Sequence, residues 1–371
     1  MGAKLVDLPS ISVIVTAHNR RRYLPFALRS LEAQTLPKDK FEVVVVKNFE
    51  DPESDSIISR NGWRSVYNDE LYHGRKILAG LEEAKGDVIT FLEDDDMYVN
   101  SRLAEVNRAF TTYKGLVYFH NSQTVVDKEG REAPEVKLRV SKNIIKAEDI
   151  VISVEALREV SKRYKVDLVG FVPRFVRVRA DFNGSSMAVR RETIEAVSGL
   201  LRELPIGIDV FTFSSALKAG GLLYFTDRRL TLYRVHGENW SSTPAVGGRL
   251  EVYVLWRARA RLQAALAYRV IGSLLGDDTN YYLCHELINR GGFQYLPLPE
   301  LGTLPQGLRL SPSHVGEALR CYRAGTYSLA IAIFVMGQSL LGPLLAPPKA
   351  RRLLGEALVR LRRLARGWVS P

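Results

Sequence analysis

The stretch Val88-Ile89-Thr90-Phe91-Leu92-Glu93-Asp94-Asp95-Asp96-Met97-Tyr98 decides the fold that this sequence predicts. Its first five residues are mainly β-branched or large and apolar, which is typical of a strand buried on both faces. Four carboxylates then follow at the carboxyl end of that strand. Because ligands of open α/β sheets bind beyond the carboxyl ends of the strands, this position favours a binding site.

Adjacent carboxylates repel one another, so a fold that keeps them together usually neutralises them with a cation, basic side chains or water. A hard divalent ion such as Mg²⁺ or Mn²⁺ takes one or two carboxylates from a protein and completes its shell with water and substrate phosphates. We therefore predict metal ligands among Asp94, Asp95 and Asp96. The alternative is a solvated acidic turn that caps the next helix, because Asp favours helix starts.

The residues before this stretch predict alternating strands and helices. Apolar runs at 11–16, 41–46 and 65–67 read as strands, and leucines at 24, 28 and 31 have helical spacing, as does the segment 75–84. This alternation predicts a doubly wound α/β half-domain. No glycine-rich phosphate loop follows the first strand, which argues against a dinucleotide-binding fold or a Walker-type NTPase.

Composition limits the class of protein. With 371 residues, 46% hydrophobic and 25% charged, the chain is a globular protein of one large or two ordinary domains. Its two cysteines, Cys284 and Cys321, predict no disulfide framework and suggest a reducing compartment, and the N-terminus lacks the apolar core of a signal peptide. We therefore expect a cytoplasmic protein. The net charge of +11 indicates an anionic partner, but no nucleic-acid-binding signature is present.

Several motifs, taken in order, resemble the family 2 glycosyltransferases of GT-A fold. They are Thr16-Ala17-His18-Asn19-Arg20, Ala84-Lys85-Gly86-Asp87 with the acidic stretch, Asn183-Gly184-Ser185-Ser186-Met187, Ile208-Asp209, and Tyr233-Arg234-Val235-His236. They cover about residues 9 to 242. The resemblance implies a GT-A-type mixed sheet with a Rossmann-like nucleotide-binding half, and inverting, metal-dependent transfer of a sugar from a nucleotide-diphosphate sugar.

The resemblance also implies roles for single residues. Thr16, His18, Arg20 and Asn48 would contact the nucleoside, Asp94 and Asp95 the metal and ribose, and Gly184, Ser185 and Ser186 the acceptor. Lys47-Asn48 stands where the family usually has an Asp pair, so the base is not identified. Arg75 and Lys76 would direct positive charge towards the phosphates, or would be a solvated helix start.

Two further residues are candidates for chemistry. Asp209 is the predicted general base, which takes the proton of the attacking acceptor hydroxyl. Its alternative role is a helix N-cap after Pro205 and Gly207. His236 is a predicted metal ligand or phosphate hydrogen-bond donor, and its alternative is an ordinary surface or core histidine.

The last third of the chain predicts helices without a catalytic motif. We place the domain boundary after residue 244, between a glycosyltransferase-like domain of residues 1–244 and a helical region of residues 245–371. Residues 327–346 are apolar enough to consider as a membrane span, although a buried helix hairpin is the alternative. Residues 349–371 carry seven basic residues against Glu356 and predict an amphipathic helix, either on an anionic membrane or packed on its own domain.

The sequence thus predicts an inverting glycosyltransferase with Mn²⁺ or Mg²⁺ as cofactor and a glycan or lipid-linked acceptor. We expect the protein in the cytoplasm, with peripheral attachment to the membrane as a further possibility. The alternatives are a sugar-1-phosphate nucleotidyltransferase, which would want a glycine-rich loop near the first strand, and a membrane-docked nucleotide-sugar-binding protein without turnover.

Overall fold

The computed structural model describes residues 10–133, 149–176, 180–236, 250–293, 310–323 and 328–341. The chain divides into two compact units, Met1–Asn239 and Trp240–Pro371. The predicted boundary after residue 244 lies within 237–249, outside the described residues.

Within the described residues, the first unit forms one mixed sheet of nine strands. The strands are β1 (Ile11–Ala17), β2 (Phe41–Lys47), β3 (Arg64–Tyr67), β4 (Val88–Glu93), β5 (Met97–Tyr98), β6 (Leu116–Val126), β7 (Ile150–Ser153), β8 (Met187–Arg190) and β9 (Leu222–Arg234). Their order is β3-β2-β1-β4-β8-β6-β9-β5, and β7 pairs with β9.

The strand order reverses between β1 and β4. β1 is buried along its whole length and is parallel to both β2 and β4. Thr16 lies opposite Glu93, so the loops that follow these two strands begin side by side. A reversal of this kind leaves a crevice at the carboxyl ends of the strands. The predicted doubly wound mixed α/β fold is confirmed.

Helices of the first unit pack on this sheet. They are α1 (Leu24–Glu32), α2 (Pro52–Arg60), α3 (His73–Glu83), α4 (Arg102–Thr112), α5 (Val154–Tyr164), α6 (Leu168–Val176), α7 (Arg191–Glu195) and α8 (Ile208–Ala219). The helical spacing of Leu24, Leu28 and Leu31 is confirmed, because all three side chains are buried against β1 and its neighbours. A short 3₁₀ turn, Gly184–Ser186, leads into β8.

The second unit is helical in its described residues. It contains α9 (Leu250–Leu275), α10 (Tyr281–Phe293), α11 (His314–Arg323) and α12 (Leu329–Leu341). The expectation that the two cysteines form no disulfide framework is wrong, because a disulfide joins Cys284 of α10 to Cys321 of α11. Their separation of 37 residues gave no recognisable spacing, and the pairing depends on how the two helices pack. Because the two cysteines are paired, they no longer support the expectation of a reducing compartment.

α12 covers the middle of the predicted apolar segment 327–346. In the part of the chain that the structure describes, no helix combines the length and apolarity that crossing a membrane requires. The predicted basic helix at 349–371 lies outside the described residues.

Candidate functional site

The crevice between β1 and β4 brings the acidic stretch against Arg20. The guanidinium binds both carboxylate oxygens of Asp94, with Nε 3.2 Å from Oδ2 and Nη2 on Oδ1. Arg20 Nη1 donates to Asp95 Oδ2 at 2.7 Å. Asp94, Asp95 and Asp96 are all buried, so the solvated acidic turn is ruled out.

The end of β9 and the residues just after it contribute two more side chains to the acidic stretch, residues 93–96, called the acidic loop below. His236 Nε2 donates to Asp95 Oδ2 at 3.0 Å. Arg234 is almost completely buried, and its Nε donates to the Asp95 carbonyl at 2.9 Å while its backbone N–H donates to Asp96 Oδ1 at 3.1 Å. The predicted Tyr-Arg-x-His segment therefore lies directly against the acidic stretch.

The acidic loop holds more negative charge than its neighbours neutralise. Burial, together with the charge of Asp95, raises the pKa of both Asp94 and Asp96 to about 7. Burial, with Asp95 and Asp96 nearby, raises the pKa of Glu93 well above its usual range. Although burial opposes the ionisation of Asp95, the hydrogen bond from His236 and the charge of Arg20 lower its pKa. An additional cation would relieve this repulsion.

The predicted general base lies on the opposite side of the same cluster. Asp209 is the second residue of α8, whose N-cap is Gly207, so the alternative role of Asp209 as N-cap is wrong. Asp209 Oδ1 accepts from the Val210 N–H at 2.9 Å, and Oδ2 accepts from the Asn183 N–H at 3.2 Å. The Asn183 side chain in turn donates to Asp96 Oδ2 at 3.0 Å. Asn183 therefore connects the general base to the acidic loop.

The three predicted acceptor-side residues are buried in the turn after Asn183. Ser185 Oγ accepts from the Glu93 N–H at 3.1 Å, and Ser186 Oγ accepts from Gln123 Nε2 at 2.8 Å. A Cβ on Gly184 would lie 3.3 Å from Ile208 Cγ2, which leaves little room for any side chain there. The turn thus packs tightly between β4 and the start of α8.

The predicted nucleoside contacts lie around the ends of β1 and β2. Thr16 Oγ1 lies 3.3 Å from Nε2 of His73, and the amides of Asn48 and Asn19 bond to each other at 2.9 Å. His18 Nδ1 is buried and has no hydrogen-bond partner among the described residues. Burial, and secondarily Lys76, lowers the pKa of His18. A buried nitrogen without a partner is a place for a ligand to bind.

Arg75 lies away from this cluster. Its side chain is exposed, forms a salt bridge with Glu70 at 3.0 Å and donates to the Arg202 carbonyl at 2.9 Å. Lys76, one position along α3, is buried and interacts electrostatically with Asp94 and Arg20. Lys76, rather than Arg75, is the cation of this helix beside the acidic loop.

Sequence reasoning missed three residues at the site. Asn183 was quoted only as part of a motif, and Arg234 only as part of another. His73 was not noticed, although its Nε2 lies 3.3 Å from Thr16 Oγ1 and desolvation lowers its pKa to about 4. The positive backbone φ of Asn183 leaves no signal in the sequence. Arg234 could have been suspected, because an arginine within a largely apolar strand requires buried acceptors.

The residues at the acidic loop fit a divalent cation by their chemistry. Carboxylate oxygens are the ligands that Mg²⁺ and Mn²⁺ prefer, and the imidazole of His236 lies beside Asp95. Asp96 faces inward, because both of its oxygens accept hydrogen bonds from protein N–H groups. Among the described residues, no group of three or more His, Cys, Asp or Glu side chains has the geometry of a formed metal site.

Sequence comparison relates the first unit to known enzymes. The sequence model of the family described as glycosyl transferase family 2 matches residues 12–150. Glycosyltransferase AglE of Haloferax volcanii is 24% identical over 285 residues, which is 74% of this chain and 84% of that protein. Poly(ribitol-phosphate) β-N-acetylglucosaminyltransferase TarS of Staphylococcus aureus is 30% identical over 107 residues, which is 27% of this chain and 18% of TarS.

Solved structures with similar folds include two glycosyltransferases. Residues 1–349 of S. aureus TarS in complex with UDP-GlcNAc superpose with a TM-score of 0.48 at 15% identity, covering 88% of this chain and 89% of that one. A mannosyltransferase from Pyrobaculum calidifontis in complex with GDP-Man and Mn²⁺ gives a TM-score of 0.45 at 15% identity, covering 95% and 87%. The chain spans 55% of a longer TarS structure. The sequence match identifies residues 12–150 as a glycosyl transferase family 2 domain, and the similarity to AglE supports a glycosyltransferase.

Proposed function

We propose that this glycosyltransferase catalyses inverting, divalent-metal-dependent transfer of a sugar from a nucleotide-diphosphate sugar to a hydroxyl of a glycan or lipid-linked acceptor. The observation that carries the proposal is the pairing of two carboxylate sites. Asp209 accepts hydrogen bonds from the backbone N–H groups of Val210 and Asn183. Asp96 of the acidic loop accepts one from the side-chain amide of Asn183. A base and an acidic cluster this close suit a displacement in which one group activates the acceptor and the other serves the leaving group.

The donor would bind at the ends of β1 and β2. This edge is lined by Thr16, His18, Arg20 and Asn48. The Nδ1 of His18, which has no hydrogen-bond partner in the part of the chain that the structure describes, would gain one from the ligand. Lys76 would bring positive charge towards the diphosphate, because it is buried beside Asp94. Arg20 already neutralises Asp94 and Asp95, and it would help to hold these carboxylates in place while the donor binds.

Asp95 and His236 would hold the cation, with Asp94 and Asp96 as further candidate ligands. When bound, a divalent cation supplies charge stabilisation to the departing diphosphate. The Mn²⁺ in the mannosyltransferase structure belongs to that protein, and for this chain the cation is part of the proposal.

Asp209 would act as the general base. Its carboxylate accepts the proton of the acceptor hydroxyl while the hydroxyl oxygen bonds to the anomeric carbon and the bond from that carbon to the diphosphate oxygen breaks. The N–H groups of Val210 and Asn183 fix the carboxylate, so little reorganisation is needed during the reaction. Attack from the face opposite the leaving group inverts the anomeric centre.

The test is the variant Asp209→Asn, assayed with Mn²⁺ and a panel of nucleotide sugars that begins with UDP-GlcNAc and GDP-mannose. We expect turnover to fall by about 10²- to 10⁴-fold, because the base is lost. Thermal stabilisation by Mn²⁺ with UDP or GDP should stay as in the wild type, because Asp209 contacts the acceptor rather than the donor.

The matched control is Asp227→Asn, which changes an exposed aspartate of β9. It should leave turnover unchanged. Full activity of Asp209→Asn, or a product that retains the anomeric configuration of the donor, would contradict the proposed mechanism.

We also propose that the enzyme works at the surface of an anionic membrane, held by residues 349–371. The support is their seven basic residues against one acidic residue, which favours anionic lipid. Sedimentation with vesicles of phosphatidylglycerol and phosphatidylcholine tests this. Deletion of 349–371 should abolish co-sedimentation, and unchanged sedimentation of the truncated protein would refute the proposal.

A further inference from the structure

Asn183 has an unusual backbone conformation at the centre of the site. Its φ is +66°, and it is one of three non-glycine residues with positive φ among the residues that the structure describes, with Asn19 and Lys165. Asparagine tolerates this region better than most side chains do, but it is still strained there. Such strain persists only where surrounding contacts hold it in place, and it concentrates at functional sites.

The contacts of Asn183 explain what holds it. In this conformation the backbone N–H points to Asp209 Oδ2 at 3.2 Å, while the side-chain Nδ2 donates to Asp96 Oδ2 at 3.0 Å. The Asn183 carbonyl accepts from the Ser186 N–H at 2.9 Å, which closes the turn into β8. With 7% of its surface exposed, Asn183 has little freedom to move independently of these partners.

Asp96 and Asp209 belong to elements far apart in the chain, the loop after β4 and the first turn of α8. Asn183 joins them directly. Its side-chain amide donates to Asp96, and its backbone N–H donates to Asp209. A shift of the acidic loop therefore shifts the general base in the same direction. This matters because misplacement of a catalytic group by about 1 Å can lower a rate on the order of 10²-fold.

We infer that Asn183 is a positioning residue that couples the acidic loop, where the donor binds, to the general base Asp209. The inference rests on the proposed function and adds a residue to it. It predicts that loss of the Asn183 amide disturbs donor binding and turnover together.

The decisive variant is Asn183→Gly. Glycine adopts positive φ without strain and keeps the N–H that bonds Asp209, so the variant removes the amide contact with Asp96 and the long 3.5 Å bond from Ser186 Oγ to Asn183 Oδ1. We expect kcat to fall on the order of 10²-fold. The Kd for UDP or GDP in the presence of MnCl₂, measured by calorimetry, should rise several-fold. The melting temperature should fall modestly, because the buried Asp96 Oδ2 loses one partner, and the variant should stay folded at the assay temperature.

Two further variants separate positioning from a structural role. Asn183→Asp keeps the side-chain size but replaces the donor by a carboxylate beside Asp96, so it should lose turnover at least as strongly as Asn183→Gly does. Lys165→Gly removes an exposed side chain at another positive-φ position, φ +52°, and should behave as wild type. Wild-type kcat and nucleotide affinity in Asn183→Gly would overturn the inference, as would a loss of turnover fully accounted for by unfolding.

Failure of the inference can be told apart from failure of the proposed function. If the proposed function is wrong, the wild type turns over no nucleotide sugar or Asp209→Asn keeps its turnover. If only the inference is wrong, Asp209→Asn is inactive while Asn183→Gly matches the wild type in both kcat and nucleotide affinity.

Discussion

The two units of this enzyme hold their buried polar groups together in different ways. In the first unit, arginines, acids and a histidine from several distant parts of the chain meet at the edge of the sheet, and no covalent bond joins them. In the second unit, a disulfide joins α10 to α11, and the buried pair Glu286 and Arg290 lies within α10 itself.

The difference indicates what each arrangement is for. Burying several like charges is costly, and an apolar core of the same volume is often as stable or more stable. A fold that keeps Asp94 to Asp96 buried side by side therefore serves ligand binding rather than stability. The disulfide of the second unit has no such cost, because it acts mainly by restricting the unfolded chain. Removing Arg234, the buried arginine that contacts the acidic loop, should thus have the largest effect on stability.

Arg234→Met should have the largest effect on stability. The guanidinium donates to the Asp95 carbonyl at 2.9 Å and to the Lys128 carbonyl at 2.9 Å, so its loss leaves buried acceptors without partners. We expect the free energy of unfolding to fall by about 3–5 kcal/mol. Denaturant unfolding followed by tryptophan fluorescence measures this, and turnover should be lost as the acidic loop loses its support.

The matched control is Arg228→Met on the same strand. Arg228 is exposed and pairs with Glu105 at the surface, so its loss should cost less than about 1 kcal/mol. Equal unfolding midpoints for the two variants would show that Arg234 does not support the acidic loop in the way described.

Cys284→Ala with Cys321→Ala should have an intermediate effect, confined to the second unit. Removing a cross-link over 37 residues is expected to cost about 2–4 kcal/mol of stability. Hydrogen exchange should speed up at the amides of α10 and α11 and stay unchanged in β1 and β4. Reduction of the wild type with dithiothreitol should reproduce the change. Two free thiols in unfolded, unreduced wild-type protein would contradict the disulfide.

The sequence predicted most of the first unit, because its signals are local. The apolar run Val88–Leu92 and the leucines of α1 read directly as a buried strand and a packed helix, and both are confirmed. The acidic loop followed from its position after a strand. These features depend on residues within a few positions of one another, which is the range over which periodicity carries information.

The contacts that complete the site were not predictable in this way. Arg20 bonds to a carboxylate 74 residues away, and Arg234 to a carbonyl 139 residues away. The choice between Arg75 and Lys76 required the orientation of α3, because neighbouring helix positions point about 100° apart. The pairing of Cys284 with Cys321 likewise depended on the packing of two helices, which no spacing rule describes.

His120→Gln should have the smallest effect, which appears only as a pH dependence. His120 lies on β6, its Nε2–H donates to the Phe182 carbonyl at 3.0 Å, and its buried Nδ1 has no partner within the described residues. Burial lowers its pKa from 6.5 to about 4. The folded protein therefore binds fewer protons than the unfolded chain between pH 6.5 and 4, so the stability of the wild type falls as the pH falls through this range.

Glutamine does not titrate, and His73 contributes equally to both proteins. The wild type should consequently lose about 2–3 kcal/mol more than His120→Gln between pH 7.5 and 4. Chemical unfolding at several pH values measures this difference. Parallel stability curves would show that the folded protein tolerates a charge at His120. The buried polar groups of the first unit outside the acidic loop would then be less constrained than their contacts indicate.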